Sequence, residues 1–150
     1  MFKKFFEDIE VGDTDTFGSY TVTKDEVITF AKQYDPQPFH LNEEIAKQSV
    51  FGGLCASGWH TGAMTMSMLV AHMMKEGVAG MGSPGIDELK WLKPVMVDDV
   101  LSVRQTLLSK RESQSWPMMG LLKFKTEVLN NKDVVVMTMI ANMMIMRRPQ

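Results

Sequence analysis

SGWHTGAMTMSMLVAHMMKEG, residues 57–77, keeps helical spacing without a proline between a serine that can cap and a glycine that can terminate. Ser57 suits an N-cap, and Gly77 stands where a left-handed residue closes a helix, so the spacing predicts a helix from Trp59 to about Glu76. Its apolar residues include Trp59, Ala63, Met64, Met66, Met68, Leu69, Val70, Met73 and Met74, which lie on most sides of a helical wheel. A helix apolar nearly all round is buried on most sides. No run in the chain is long and apolar enough to span a bilayer, so protein must wrap this helix.

The wrapping material follows in the chain. Beyond Gly77–Gly85, residues 86–92, 101–111, 118–129 and 134–146 read as strands, and Asn130-Asn131-Lys132-Asp133 joins the last two as a hairpin loop. Asp98-Asp99 marks an earlier turn. Upstream, a short strand is expected around Asp15–Val22. Thr23 and Glu26 then form a capping-box pattern that starts a helix over Lys24–Tyr34. Pro36 and Pro38 stop that helix and make Asp35–Leu41 a stiff, non-helical loop. Asn42 caps a short helix through Ala46–Gln48. The pattern predicts an α+β fold, one domain over residues 1–150, with a curved antiparallel sheet around the long helix. Such a sheet covers its helix incompletely and leaves an edge. A second copy would cover both, so a homodimer or larger homo-oligomer is expected.

Composition excludes several classes. The net charge of −2 over 150 residues gives no general attraction to nucleic acid or to an anionic membrane. The single cysteine, Cys55, rules out an internal disulfide and a paired-cysteine metal site, and fits a reducing compartment. Acidic residues follow Met1–Phe6 before a signal-peptide apolar run could form, so the cytoplasm is the expected location. The 15 methionines serve mainly as core filling, with a minority available to an adaptable pocket.

Few residues invite chemistry. Asp35 follows a helix C-terminus, where the dipole disfavours a carboxylate. Desolvation there would raise its pKa and suit it to act as a general base. An aspartate before a proline also opens ordinary turns. His40 is able to orient or deprotonate a water, or to be a hydrogen-bonded structural histidine. Five extended residues span about 16 Å, so the two share a water only if the loop curls back. Ser57-Gly58 places free backbone N–H groups and a positive dipole end where a carbonyl oxygen could gain charge, and Gly58 would allow close approach. Ordinary capping explains the same pair. His60 and His72 are twelve residues apart, unlike two ligands on one helix face, and a structural role is expected for both. Cys55 lacks a base partner in sequence. Lys90, Lys93, Arg104, Lys110 and Arg111 suit either phosphates or solvated strand edges.

The run Tyr34-Asp35-Pro36-Gln37-Pro38-Phe39-His40-Leu41-Asn42 resembles the hydratase motif of the MaoC-like family, the (R)-specific enoyl-CoA hydratases. Ala46 and Phe51, then Ala56-Ser57-Gly58-Trp59, resemble that family's approach to its central helix, and Trp91-Leu92-Lys93-Pro94-Val95 with Asp99 its later strand and turn. The resemblance implies a hot-dog fold, a homodimer or larger assembly, and an acyl-CoA or acyl-carrier-protein thioester as substrate. It implies Asp35 as principal base, His40 as its partner and the Gly58 N–H as the group that polarises the thioester carbonyl. Gln37, Pro38, Phe51, Ser57 and Trp59 are the candidate substrate-binding residues, and no metal or redox cofactor is implied. Gln37 stands where many relatives have Asn, Ser57 where many have His, and Asp98 where Gly is usual. The expected activity is hydration of an enoyl thioester or its reversal. A hot-dog thioesterase is the alternative enzyme, though Trp59–Lys75 holds no Asp or Glu to activate water. A non-catalytic acyl-binding subunit is the alternative outside catalysis.

Overall fold

The computed structural model describes residues 1–150. After a 3₁₀ turn at Phe6–Asp8, the elements are β1 (Thr14–Thr21), α1 (Lys24–Tyr34), α2 (Pro38–Leu41), α3 (Glu43–Gln48), α4 (Gly58–Glu76), β2 (Ile86–Trp91), β3 (Val100–Glu112), β4 (Met119–Leu129) and β5 (Val135–Met146). Five strands form one sheet in the order β1-β3-β4-β5-β2. Every neighbouring pair is antiparallel. No helix is long and apolar enough to cross a membrane.

The caps form where the sequence places them. Ser57 Oγ accepts from the Trp59 N–H at 3.3 Å, opening α4. Gly77 closes it at φ 68°, a conformation a side chain would disfavour. Thr23 caps α1 by accepting from the Glu26 N–H. The reciprocal half of that box is not made, because the Glu26 carboxylate accepts from the Tyr20 hydroxyl instead.

Register decides which strand residues meet α4. Val103, Val128 and Met137 lie across from one another on β3, β4 and β5. All three join the buried core with Met64, Met68 and Leu69 of α4. Burying each such side chain is worth about 1.5–3 kcal/mol. A smaller core lies under the N-terminal turn, where Phe6 packs with Leu107, Leu122 and Ile145.

One expectation needs correction. Within this chain α4 is buried on one side only, through His60, Thr61, Met64, Thr65, Met68 and Leu69. Trp59, Met66, Val70 and Met74 stay exposed. The curved sheet reaches around one face of the cylinder, so the apolar pattern on the other face has no cover from its own chain.

Candidate active site

α1 ends because Pro36 follows. Asp35 still donates its N–H to the Ala31 carbonyl at 2.9 Å, but its φ of −150° has left the helix. Gln37 is extended, as a residue before proline should be. Pro38 then occupies the first position of a helical turn, where its missing N–H costs nothing. The Asn42 N–H closes this turn onto the Pro38 carbonyl at 3.0 Å. The segment expected to be non-helical throughout therefore contains α2, and α2 turns the chain back on itself. His40 Nε2 lies 3.5 Å from Asp35 Oδ2 instead of the extended-chain separation.

Both groups are held by further bonds. His40 is buried, and its Nδ1 lies 2.7 Å from the Cys55 carbonyl oxygen. A carbonyl only accepts, so Nδ1 carries a proton, and Nε2 faces Asp35, where the neutral tautomer presents a lone pair. Ser57 Oγ donates to Asp35 Oδ2 at 2.7 Å, and Gln37 Nε2 donates to Oδ1 at 2.7 Å. The Ser57 hydroxyl, then the Gln37 amide and the nearby His40, hold the Asp35 carboxyl below the usual carboxylate range against the opposing effect of desolvation. This reverses the expected rise. Two donors at bonding distance outweigh a helix dipole, and the Asp35 side chain keeps 18% of its exposure.

The N-terminus of α4 forms the adjoining wall. The Gly58 N–H finds no acceptor in the chain. A Cβ on Gly58 would lie 2.5 Å from Trp91 Cε2, so the glycine makes room for the indole of β2. Trp59 meets Trp91 edge to face, with centroids 5.0 Å apart. The cleft between these groups has a volume of about 430 Å³.

Of the residues expected at the site, Asp35, Gln37, His40, Phe51, Gly58 and Trp59 line this cleft, whereas Pro38 and Ser57 do not. Pro38 is an exposed turn residue, and Ser57 is wholly buried behind Asp35. Sequence reasoning missed the Cys55 carbonyl, which carries no side-chain signal. It also missed Thr61 and assigned no role to Trp91, although Trp91 lies in the later run that carried the family resemblance. Burial pushes the Cys55 thiol up to about 11, which leaves it neutral and a poor nucleophile. Of the basic residues noted in the strands, Lys93 alone lines the cleft. Lys90 pairs with Glu88, Arg104 with Glu127, and Lys110 donates to the carbonyls of Phe6 and Ile9.

The other histidines lie elsewhere. His60 is buried and stacked on Phe30 with centroids 4.6 Å apart, and desolvation lowers its pKa. His72 stacks on Phe17 and contacts Asp15. A larger hollow of about 510 Å³ beside the β3–β4 turn includes Lys110, Arg111 and Trp116 but brings no carboxylate together with a histidine. The cleft at Asp35 has what acid–base chemistry needs: two proton acceptors facing one small space, beside a free N–H at the positive end of a 19-residue helix.

Comparison with known proteins gives one consistent answer. The family model described as the MaoC like domain matches residues 9–141. The crystal structure of a MaoC-like dehydratase from Rhodospirillum rubrum superposes with a TM-score of 0.87 at 39% identity, covering 99% of this chain and 100% of that one. An uncharacterized protein of Bacillus subtilis (strain 168), YdeM, is 29% identical over 133 residues, 87% of this chain and 90% of its own length. The 3-hydroxybutyryl-CoA dehydratase of Methylorubrum extorquens is 28% identical over 101 residues, 67% of this chain and 61% of its own length. The curved sheet about a central helix is the hot-dog fold.

Proposed function

This chain belongs to the MaoC-like domain family, and on that footing we propose that it interconverts a trans-2-enoyl thioester and a 3-hydroxyacyl thioester by activating water between Asp35 and His40. The observation that supports this most is the 3.5 Å separation of two proton acceptors, Asp35 Oδ2 and the lone pair of His40 Nε2. A water placed there donates one hydrogen to each. In hydration its oxygen attacks the β-carbon of the enoyl group. The alkene electron pair moves toward the α-carbon and the thioester oxygen. Asp35, with His40 as partner, takes the proton the water loses, and one proton passes from the pair to the α-carbon. The hydroxyl is then on the β-carbon, the hydrogen on the α-carbon, and both side chains are restored. Dehydration runs the same steps in reverse. The Gly58 N–H, at the start of α4, stabilises the charge that develops on the carbonyl oxygen.

The substrate is an acyl-CoA or acyl-carrier-protein thioester whose chain lies against the aromatic wall of Phe51, Trp59 and Trp91. We place the protein in the cytoplasm as a homodimer. The exposed face of α4 and the sheet edge at β2 are what a second copy would cover.

A panel of trans-2-enoyl-CoA substrates tests the reading. Enoyl absorbance should fall without release of free thiol. Thiol release would indicate a thioesterase, and tight binding without turnover a non-catalytic acyl-binding subunit. Failure to hydrate any chain length would sink the proposal.

A further inference from the structure

We propose that Ser57 and Gln37 are positioning residues and not substrate contacts: each donates to a different oxygen of Asp35, and together they fix the plane in which its free lone pairs meet the reacting water. The proposal deepens the reading of Asp35 as the base and rests on it.

Ser57 is 0% exposed, so no substrate atom can reach it. Its hydroxyl has one hydrogen, which goes to Asp35 Oδ2 at 2.7 Å. Ser57 Oγ itself accepts from the Trp59 N–H at 3.3 Å. One atom therefore links the carboxylate to the first turn of α4, the turn that also presents the unpaired Gly58 N–H. Ser57 thus sets the distance between the group that takes the proton and the group that steadies the carbonyl. Gln37 holds the other oxygen at 2.7 Å. It stands between two prolines, and its backbone is extended at ψ 140°, which limits the side chain's directions of approach. Its NH₂ must face Asp35, because the amide oxygen would set two acceptors against each other.

The titratable groups that line the cleft are Asp35, His40 of α2, Cys55 from the segment before α4 and Lys93 from the segment after β2. Cys55 stays neutral until the pH nears its raised value of about 11. The two donors hold the carboxyl below its ordinary range, with Ser57 the larger cause. Asp35 is accordingly a weakened base whose two oxygens are each held by a donor.

The test follows the Asp35 carboxyl directly, by carbon NMR titration of side-chain carboxyls assigned with Asp35→Asn. Wild type is compared with Ser57→Gly, Ser57→Thr and Gln37→Leu. Glycine is tolerated at an N-cap, so Ser57→Gly removes the hydroxyl with little cost to the helix. The Asp35 titration should move to higher pH in Ser57→Gly, by less in Gln37→Leu, and return toward wild type in Ser57→Thr. With enoyl-CoA, Ser57→Gly should lower kcat about tenfold at unchanged KM, since misaimed groups cost rate and not binding. The acid limb of its pH profile should shift upward. A carboxyl titration unaltered in both Ser57→Gly and Gln37→Leu would overturn the proposal, as would a raised KM at full kcat. If the titrations move as expected while no enoyl thioester is hydrated, the positioning role stands and the hydratase reading fails.

Discussion

The molecule contains two histidine–carboxylate pairs, and they differ in ways that matter for chemistry. His72 Nε2 lies 2.8 Å from Asp15 Oδ2, near the C-terminal end of α4. That contact is closed to direct bonding distance, and the Asp15 side chain is 59% exposed. His72 is further pinned by stacking on Phe17 at 3.8 Å. His40 and Asp35 stand 3.5 Å apart at the other end of the helix. Neither depends on the other for its place. The Cys55 carbonyl holds the imidazole, and Ser57 and Gln37 hold the carboxylate. The closer pair is a finished interaction. The looser pair is held open by its neighbours and keeps unused acceptor capacity, which a reacting water requires.

Substitutions can break or sharpen this contrast. Asp35→Asn should reduce kcat by about 10³-fold, within the range for a lost acid–base group, while circular dichroism and melting temperature show a folded protein. His40→Gln should lose about 10²-fold by the same assay. Gly58→Ala comes next, because its Cβ would run into the Trp91 ring. It should destabilise the fold by about 1–3 kcal/mol in denaturant unfolding. Adding Trp91→Ala should recover part of that loss in a double-mutant cycle, since the two groups share one space. His72→Gln is expected to do least: about 1 kcal/mol or less of stability, with hydration kinetics unchanged. If His72→Gln cost as much turnover as His40→Gln, the distinction between a closed and an open pair would be lost.

Local signals were legible wherever the interaction is local. Ser57 and Gly77 bound α4 because capping depends on one side chain and on one backbone conformation. Asn42 caps α3 for the same reason, accepting from the Ile45 N–H. The strands, too, appear within a residue or so of where hydrophobic patterning puts them. Legibility fails where the partner lies outside the element. Glu26 completes a capping pattern in sequence, yet its carboxylate goes to Tyr20, six residues back, which the turn between β1 and α1 brings near. The exposed face of α4 could not be separated from the buried one, since both are equally apolar in sequence.

At the site itself, the sequence by itself determined the chemical types: a carboxylate, an imidazole and a helix start, each within a short run of residues. It also determined that the chain must turn at the two prolines. Only the tertiary structure decided that Pro38–Leu41 coils and does not extend, which converts a chain separation of about 16 Å into 3.5 Å. It alone decided the sign of the shift at Asp35. A dipole can be read from neighbours in sequence, but the hydroxyl that outweighs it comes from Ser57, 22 residues away. Electrostatic balance at a site depends on distances through space, and folding sets those.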